Sequence, residues 1–298
     1  MQGRSAEPGP EVGITETCRK ETALPTPSIN ASRRSDVLVE RTGHLMIITL
    51  NRPEVRNALT ADTFTHLAEA FAQLDADPAL RAAVLTGAGS HFCAGMDLAW
   101  FSSGGQLDLN LLRNGRPAKP LIAAVEGYAL AGGLEVALLC DLIVAASTSQ
   151  LGIPEVKRGL YAAAGGVLRL PSRIPYHLAM QMALTGDPID GRRAYDIGLV
   201  NELCDTGQAV QTATEFARRI AANSPIAVTA SKELVEVSGS AGEDAGWARS
   251  DAIFHKVFSG PDAIEGPRAF VEKREPTWTD QTSGDVSLTA PPGSTQQS

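Results

Sequence analysis

Apolar positions in the first half of the chain fall into short runs divided by glycine-bearing turns. Residues 37–39 and 45–50, split by Thr42-Gly43, predict a β-hairpin. Thr60 is a helix-capping type, and behind it Phe64, Leu67, Ala68, Phe71 and Leu74 recur at helical spacing. Residues 82–86 form a short β run that stops at Gly87, and 121–125 form a second, wholly apolar one followed by Gly127. A helix is expected from about Gly132 to Cys140, then a strand over 141–145. Beyond residue 160 helical patterns dominate: 166–170, 177–184, 192–196, 210–221, 226–236 and 252–258. Alternating β and α units followed by helices predict a layered α/β core with a helical C-terminal lobe. No internal sequence repeat is visible.

Composition narrows the function classes. The 298 residues are 43% hydrophobic and 20% charged, an ordinary globular profile with enough chain for one sizeable core. A net charge of -8 speaks against nucleic acid as the main partner, whereas a small anionic ligand needs only one or two local cations. Cys18, Cys93, Cys140 and Cys204 form no Cys-x-x-Cys pair and the five histidines no His-x-x-x-His pair. Reduced thiols, a cytoplasmic setting and no metal are therefore expected. The longest apolar stretch is interrupted by Glu126-Gly127, Gly132-Gly133 and Glu135, so no membrane span is expected. Residues 1–34 are rich in Pro, Ser, Thr and Gly, lack the apolar segment of a secretory signal and carry Glu7, Glu11, Glu16 and Glu21, which transit peptides avoid. They and residues 280–298 are expected to be disordered, flanking a core over 35–200 and a helical region over 201–279.

Two glycine-bearing segments could carry chemistry. In Cys93-Ala94-Gly95-Met96-Asp97-Leu98 a turn leaves backbone N–H groups pointing outward, although such a tripeptide alone more often marks a plain surface turn. In the segment from Glu126 to Glu135, glycines at a helix start let a ligand approach free N–H groups, and tight helix–strand packing would use the same residues. Side by side, the two turns would make an oxyanion hole for a thioester that reacts through an enolate. Glu135 stands among Leu134, Val136, Ala137, Leu138 and Leu139, and burial there raises a carboxyl pKa toward acid/base use. Glu155 follows Pro154 at a strand end, a position more often occupied by a solvated loop acid. Only as a pair around one water would these acids form a hydration device. Residues 99–119, with Trp100, Phe101, Gly104 and Gly105, could wall the pocket.

In this order the segments resemble the crotonase, or enoyl-CoA hydratase/isomerase, superfamily, and its enoyl-CoA hydratases in particular. The matching stretches are Asn51-Arg52-Pro53, Asn57-Ala58-Leu59, the Cys93 to Leu98 segment, Lys119-Pro120-Leu121, Gly132-Gly133-Leu134-Glu135, Cys140-Asp141, Gly152-Ile153-Pro154-Glu155, Leu184-Thr185-Gly186 and Gly260 to Arg274. The likeness covers residues 36–278. It implies a crotonase-like ββα spiral core with a C-terminal helical trimerisation region, assembled as a homotrimer or a hexamer of two trimers. It implies an acyl-CoA substrate, with CoA part of the substrate and no separate cofactor. The thioester oxygen would sit between the amides of Met96 and Gly132. Contacts to CoA would come from Arg56, Met96, Asp97, Leu98 and Ala99, and from Phe254, Phe270 and Lys273, in part across a subunit boundary.

The implied reaction is syn addition of water to a 2-enoyl-CoA, as in β-oxidation of fatty acids, with Glu135 orienting the water and Glu155 supplying the α-proton. A double-bond isomerase using Glu155, or a non-catalytic or RNA-binding relative, are the alternatives. The acidic balance and the paired glutamates oppose the last of these. Three departures bear on substrate shape: Ala131 where a glycine is frequent, a mild change if its φ is negative; Met96 where alanine is frequent; and Ala162-Ala163-Ala164-Gly165-Gly166 in place of a Pro-Gly-x-Gly-Gly stretch.

Overall fold

The computed structural model describes residues 35–105 and 109–279, so the expectations for 1–34 and 280–298 lie outside the described residues. A six-stranded sheet runs through the centre. Its hairpin, β1 (Val37–Thr42) and β2 (Leu45–Leu50), turns at Gly43, whose φ is 59°. Next to β2 come β3 (Ala82–Gly87), β4 (Leu121–Val125), β6 (Leu142–Ala146) and β9 (Glu202–Cys204), all in parallel pairings. A second layer holds β5 (Tyr128–Leu130), β7 (Gln150–Gly152) and β8 (Ile189–Asp190). It is continued by single bridges between Cys93 and Ala129 and between Leu59 and Met96. Strands β2, β3, β4 and β6 are thus each followed by a short second-layer segment and then by a helix, which is a ββα spiral.

The unbroken apolar runs are explained by coverage on both faces of the sheet. Side chains alternate: Ala83, Leu85, Ala123, Val125, Ile143 and Ala145 enter one core, whereas Ala82, Val84, Ile122, Ala124 and Val144 enter the other. The second face is closed by α8 (Ala209–Ala221), through Ala209, Ala213, Ala217 and Ala221. Four alanines at i, i+4 spacing form a smooth stripe on which the sheet lies close.

Helix α1 (Ala61–Ala76) begins where the capping residue required it. The Thr60 hydroxyl accepts from the Thr63 amide in a capping box, and both hydroxyls bond the Asp36 carboxylate at 3.2 Å. Phe64, Leu67, Phe71 and Leu74 are buried as expected, with Ala70 rather than Ala68 completing the face. Its C-terminal carbonyls are met by Lys119, fully buried, whose Nζ donates to Leu74 O at 2.8 Å and Asp77 O at 2.6 Å.

Two short helices, α2 (Leu98–Ser102) and α3 (Asn110–Asn114), occupy the expected wall segment. Helix α4 (Gly132–Leu139) is buried along its whole length. Then follow α5 (Gly166–Arg173), α6 (Tyr176–Thr185) and α7 (Gly191–Asp196). After α8 come α9 (Pro225–Ala241), α10 (Glu243–Phe258) and α11 (Pro261–Glu272). The helix expected at 252–258 is the second half of α10, and α11 was not expected, since Pro267 and Gly266 blur its pattern. The division expected near residue 200 meets a sheet that continues beyond it, because β9 pairs with β6. Among the described residues no helix is long and apolar enough to cross a membrane.

The contact that sets the site is backbone against backbone. A Cβ on Gly133 would lie 2.2 Å from the Cys93 carbonyl oxygen, so α4 can rest on the 93–96 segment only with glycine there. Gly133→Ala is expected to lower the free energy of unfolding by about 1–3 kcal/mol, the usual cost of overpacking. An unchanged urea midpoint would show that the two segments are not in tight contact.

Candidate active site

Two backbone amides converge at the start of α4. Cys93 is fixed beside β5, its amide donating to Tyr128 O at 2.7 Å and its carbonyl accepting from Leu130 N at 3.0 Å. Gly95 has φ 102°, and a Cβ there would lie 2.8 Å from Ala131 Cβ and 3.4 Å from Gly132 N. From the other side, a Cβ on Gly132 would lie 3.7 Å from Met96 N. The Leu59 amide donates to Gly95 O at 2.8 Å, and Leu59 O accepts from Asp97 N at 3.0 Å. Met96 N lies between these two bonds. Neither it nor Gly132 N, the first amide of α4, has an acceptor among the described residues.

Ala131, between these turns, has φ 51° and ψ -127°. Alanine in place of the frequent glycine is mild here only with a negative φ, and the φ is positive. The conformation is held because the Ala131 amide donates to Gly152 O at 2.9 Å while its carbonyl accepts from Glu135 N at 3.1 Å. Strain of about 1–3 kcal/mol is typical of such residues and clusters at functional sites. Ala131→Gly is expected to stabilise the protein by about 1 kcal/mol in denaturant titration, strain relief outweighing added chain entropy. A loss of stability would contradict the strain.

The two acids meet in one cavity. Glu135, buried in the first turn of α4, accepts from Gly166 N at 2.9 Å through Oε1. Burial raises its pKa, and the Gly166 and Ala164 amides and the Arg169 charge pull it back. Glu155 stands in a 3-10 turn, Pro154–Arg158, that follows β7. Burial, opposed by its own amide and aided by the Glu135 charge, pushes it up to about 7. Its Oε2 is buried without a hydrogen-bond partner among the described residues. Both acids line a cavity of about 290 Å³, together with Met96 and Gly132.

The sign of the Glu155 shift has a consequence for stability. Between pH 4.5 and about 7 the unfolded chain gives up this proton before the folded one, so stability falls across that window and the loss is complete above it. Glu155→Gln removes the penalty. By scanning calorimetry the variant should melt a few degrees above the native protein at about pH 8 and together with it at about pH 4. A native-like melting temperature at both would mean the carboxyl is not buried.

Of the residues expected at the site, the structure brings Met96, Leu98, Gly132, Glu135 and Glu155 to this cavity. Others lie elsewhere. Arg56 sits over the Tyr128 ring at 5.7 Å, and Tyr128 stacks on His91 at 4.4 Å. Asp97 caps α2 through Trp100 N at 3.2 Å and pairs with Arg52 at 3.0 Å, so its carboxylate is already engaged. The Trp100 amide and then Arg52 hold its pKa down. Ala99 is exposed in the first turn of α2. Phe254 stacks on Phe258 at 4.3 Å on α10, Phe270 is exposed on α11, and Lys273 caps that helix with φ 54°.

The expected wall segment contributes Phe101 and Leu109, and the 162–166 stretch contributes Ala163 and Ala164, whereas sequence reasoning missed Lys157, Arg158, Leu160 and Tyr161 after Glu155. It also missed the amide of Gly166 as a partner of Glu135. Gly165-Gly166 before a helix repeats the Gly132-Gly133 pattern and was the available signal. Among the described residues no group of three or more His, Cys, Asp or Glu side chains could hold a metal ion.

A spiral α/β core with acids and unpartnered amides around an apolar cavity defines the class of crotonase-like enzymes. Residues 40–281 match the family model described as enoyl-CoA hydratase/isomerase. The chain is 42% identical over 256 residues to an enoyl-CoA hydratase of Mycobacterium tuberculosis, covering 82% of this chain and 96% of that protein. It is 38% identical over 251 residues to a carnitinyl-CoA dehydratase of Citrobacter koseri, covering 80% and 96%. A crystal structure of enoyl-CoA hydratase from Mycobacterium tuberculosis H37Rv superposes with a TM-score of 0.80 at 50% identity, covering 83% of this chain and all of that one. The chain belongs to the enoyl-CoA hydratase/isomerase family, and it is an enzyme.

Proposed function

We propose that the protein is an enoyl-CoA hydratase that adds water syn across the 2,3 double bond of a 2-enoyl-CoA to give a 3-hydroxyacyl-CoA. The observation that carries this reading is the presence of both carboxyls and both unpartnered amides on one cavity. In this mechanism the thioester oxygen lies between Met96 N and Gly132 N, which stabilise the charge that develops on it. A water between the two acids attacks C3 as the Glu135 carboxylate takes its proton. Glu155 gives its proton to C2, closing the enolate to the saturated thioester. A proton then passes from Glu135 to Glu155 to restore the pair.

The electrostatics suit these roles. The Gly166 N–H donated to Glu135 and the nearby Ala164 amide favour its charged form, whereas Glu155 keeps a proton up to about 7. The two are coupled, so their protons come off as a pair. Dehydratase and hydratase names among the relatives support water addition or removal on a CoA thioester.

The same proposal includes CoA contacts from Arg56, from the backbone of 96–99, and from Phe254, Phe270 and Lys273 of a neighbouring subunit in a homotrimer or hexamer. Exposed Trp247, Phe254, Phe258 and Phe270 on α10 and α11 support a partner surface there. A cytoplasmic role in fatty-acid or related acyl-CoA metabolism completes the proposal.

The test is an assay with 2-enoyl and 3-enoyl thioesters of CoA. The native protein is expected to hydrate the former, with an alkaline limb in kcat/KM near pH 7 from Glu155. Glu135→Gln and Glu155→Gln should each lower kcat by about 10²–10⁴-fold while thioester binding stays close to native. Turnover of 3-enoyl-CoA without hydration, abolished by Glu155→Gln alone, would replace this reading with an isomerase.

A further inference from the structure

Arg169 is a half-buried cation beside the cavity to which the mechanism above gives no role. It sits one turn into α5, its amide donating to Gly165 O at 2.8 Å, and its side chain folds back toward the helix start. Nη1 donates to Ala164 O at 3.3 Å and Nη2 to Leu112 O at 2.5 Å. A Cβ on Gly165, where φ is 114°, would lie 2.6 Å from Nη1, so glycine makes room for the guanidinium. The two carbonyls belong to segments far apart in the chain. Ala164 lines the cavity, and Leu112 anchors α3, the helix preceded by the cavity residue Leu109. The peptide that Arg169 grips at Ala164 lies in the same turn as the amide of Gly166, which donates to Glu135 at 2.9 Å.

We propose that Arg169 is a positioning residue: it locks the Ala164–Gly166 turn so that the Gly166 amide stays on the Glu135 carboxylate, toward which its charge also acts. This rests on the reading of Glu135 as the base for water. Two carbonyls on separate segments and a distant carboxylate ask for a planar, forked, permanently charged group, which is arginine and not lysine. No carboxylate among the described residues lies within ion-pair distance of Arg169, and Glu135 is the acid its charge reaches. The Arg116 and Arg173 charges oppose its charged form, and the Glu135 charge favours it.

The charged groups around Glu135 are few. Glu155 faces it from the 3-10 turn and Arg169 from α5, while Lys157 and Arg158 stand at the cavity wall and Arg113 of α3 is exposed. Taking away the Arg169 charge removes the attraction that opposes burial, so Glu135 must hold its proton to higher pH.

The experiment compares the native protein with Arg169→Gln, which keeps hydrogen-bond donors without charge, and Arg169→Lys, which keeps charge without the fork. Glu135 is followed by carboxyl ¹³C NMR of glutamate-labelled protein, its signal assigned by loss in Glu135→Gln, alongside kcat and KM for hydration. Arg169→Gln should move the Glu135 midpoint up by a measurable fraction of a pH unit. Arg169→Lys should raise the midpoint as well, because the turn no longer holds the Gly166 amide on the carboxylate, and lower kcat roughly tenfold or more with little change in KM. An unmoved midpoint in Arg169→Gln, or a native kcat in Arg169→Lys, overturns the proposal; if Arg169→Gln does not fold, the lysine variant decides it. A native protein that hydrates nothing would sink the hydratase reading instead, and the midpoint would still report on Arg169.

Discussion

Backbone can touch backbone only where side chains are missing, and that constraint governs this molecule. Residues 93–96 and 130–133 come from different turns of the spiral, yet they pack with no room for a Cβ at Gly95 or Gly133. Their closeness brings two donors to one point. It also fixes the first turn of α4, and with it the carboxyl of Glu135, at the edge of an otherwise apolar layer. The six-stranded sheet, closed on one side by the alanine stripe of α8 and on the other by α4 and its neighbours, is the frame that keeps this contact from relaxing.

The cost of placing an acid in that layer is met locally. Glu135 is compensated by two amides at the start of α5 and by Arg169. Glu155 has no such help for Oε2, and its neutral form prevails to about 7. One device thus produces two carboxyls of unlike character a short way apart, as acid/base chemistry at neutral pH requires. Strain at Ala131 belongs to the same economy of the site, since the residue that bends the chain into α4 is the one least suited to its φ.

Much of the frame was legible in the amino-acid order. The hairpin, the Thr60 cap and the doubly covered β4 follow from spacing and residue type alone. Strands β5, β7, β8 and β9, of two or three residues each, are too short for alternation to show. The spiral repeats a backbone path rather than side chains, so no repeat is visible in the sequence. At the site, Glu135 and Glu155 stand out as an acid in an apolar helix and an acid behind Pro154, but their nearness is a tertiary fact. The engagement of Asp97 by Arg52 is equally hidden, because its partner lies 45 residues away. The φ of Ala131 could not be read from its type, which argues for the opposite sign.

The central claim is one of geometry: a thioester clasped by Met96 N and Gly132 N beside a water shared by Glu135 and Glu155. The most direct measurement is a crystal structure with a bound 3-hydroxyacyl-CoA. The account predicts the thioester oxygen at about 3 Å from both amides and the 3-hydroxyl, standing where the water was, within hydrogen-bond reach of both carboxyls. A thioester oxygen bound away from those amides, or a carboxyl turned out of the cavity, would contradict it.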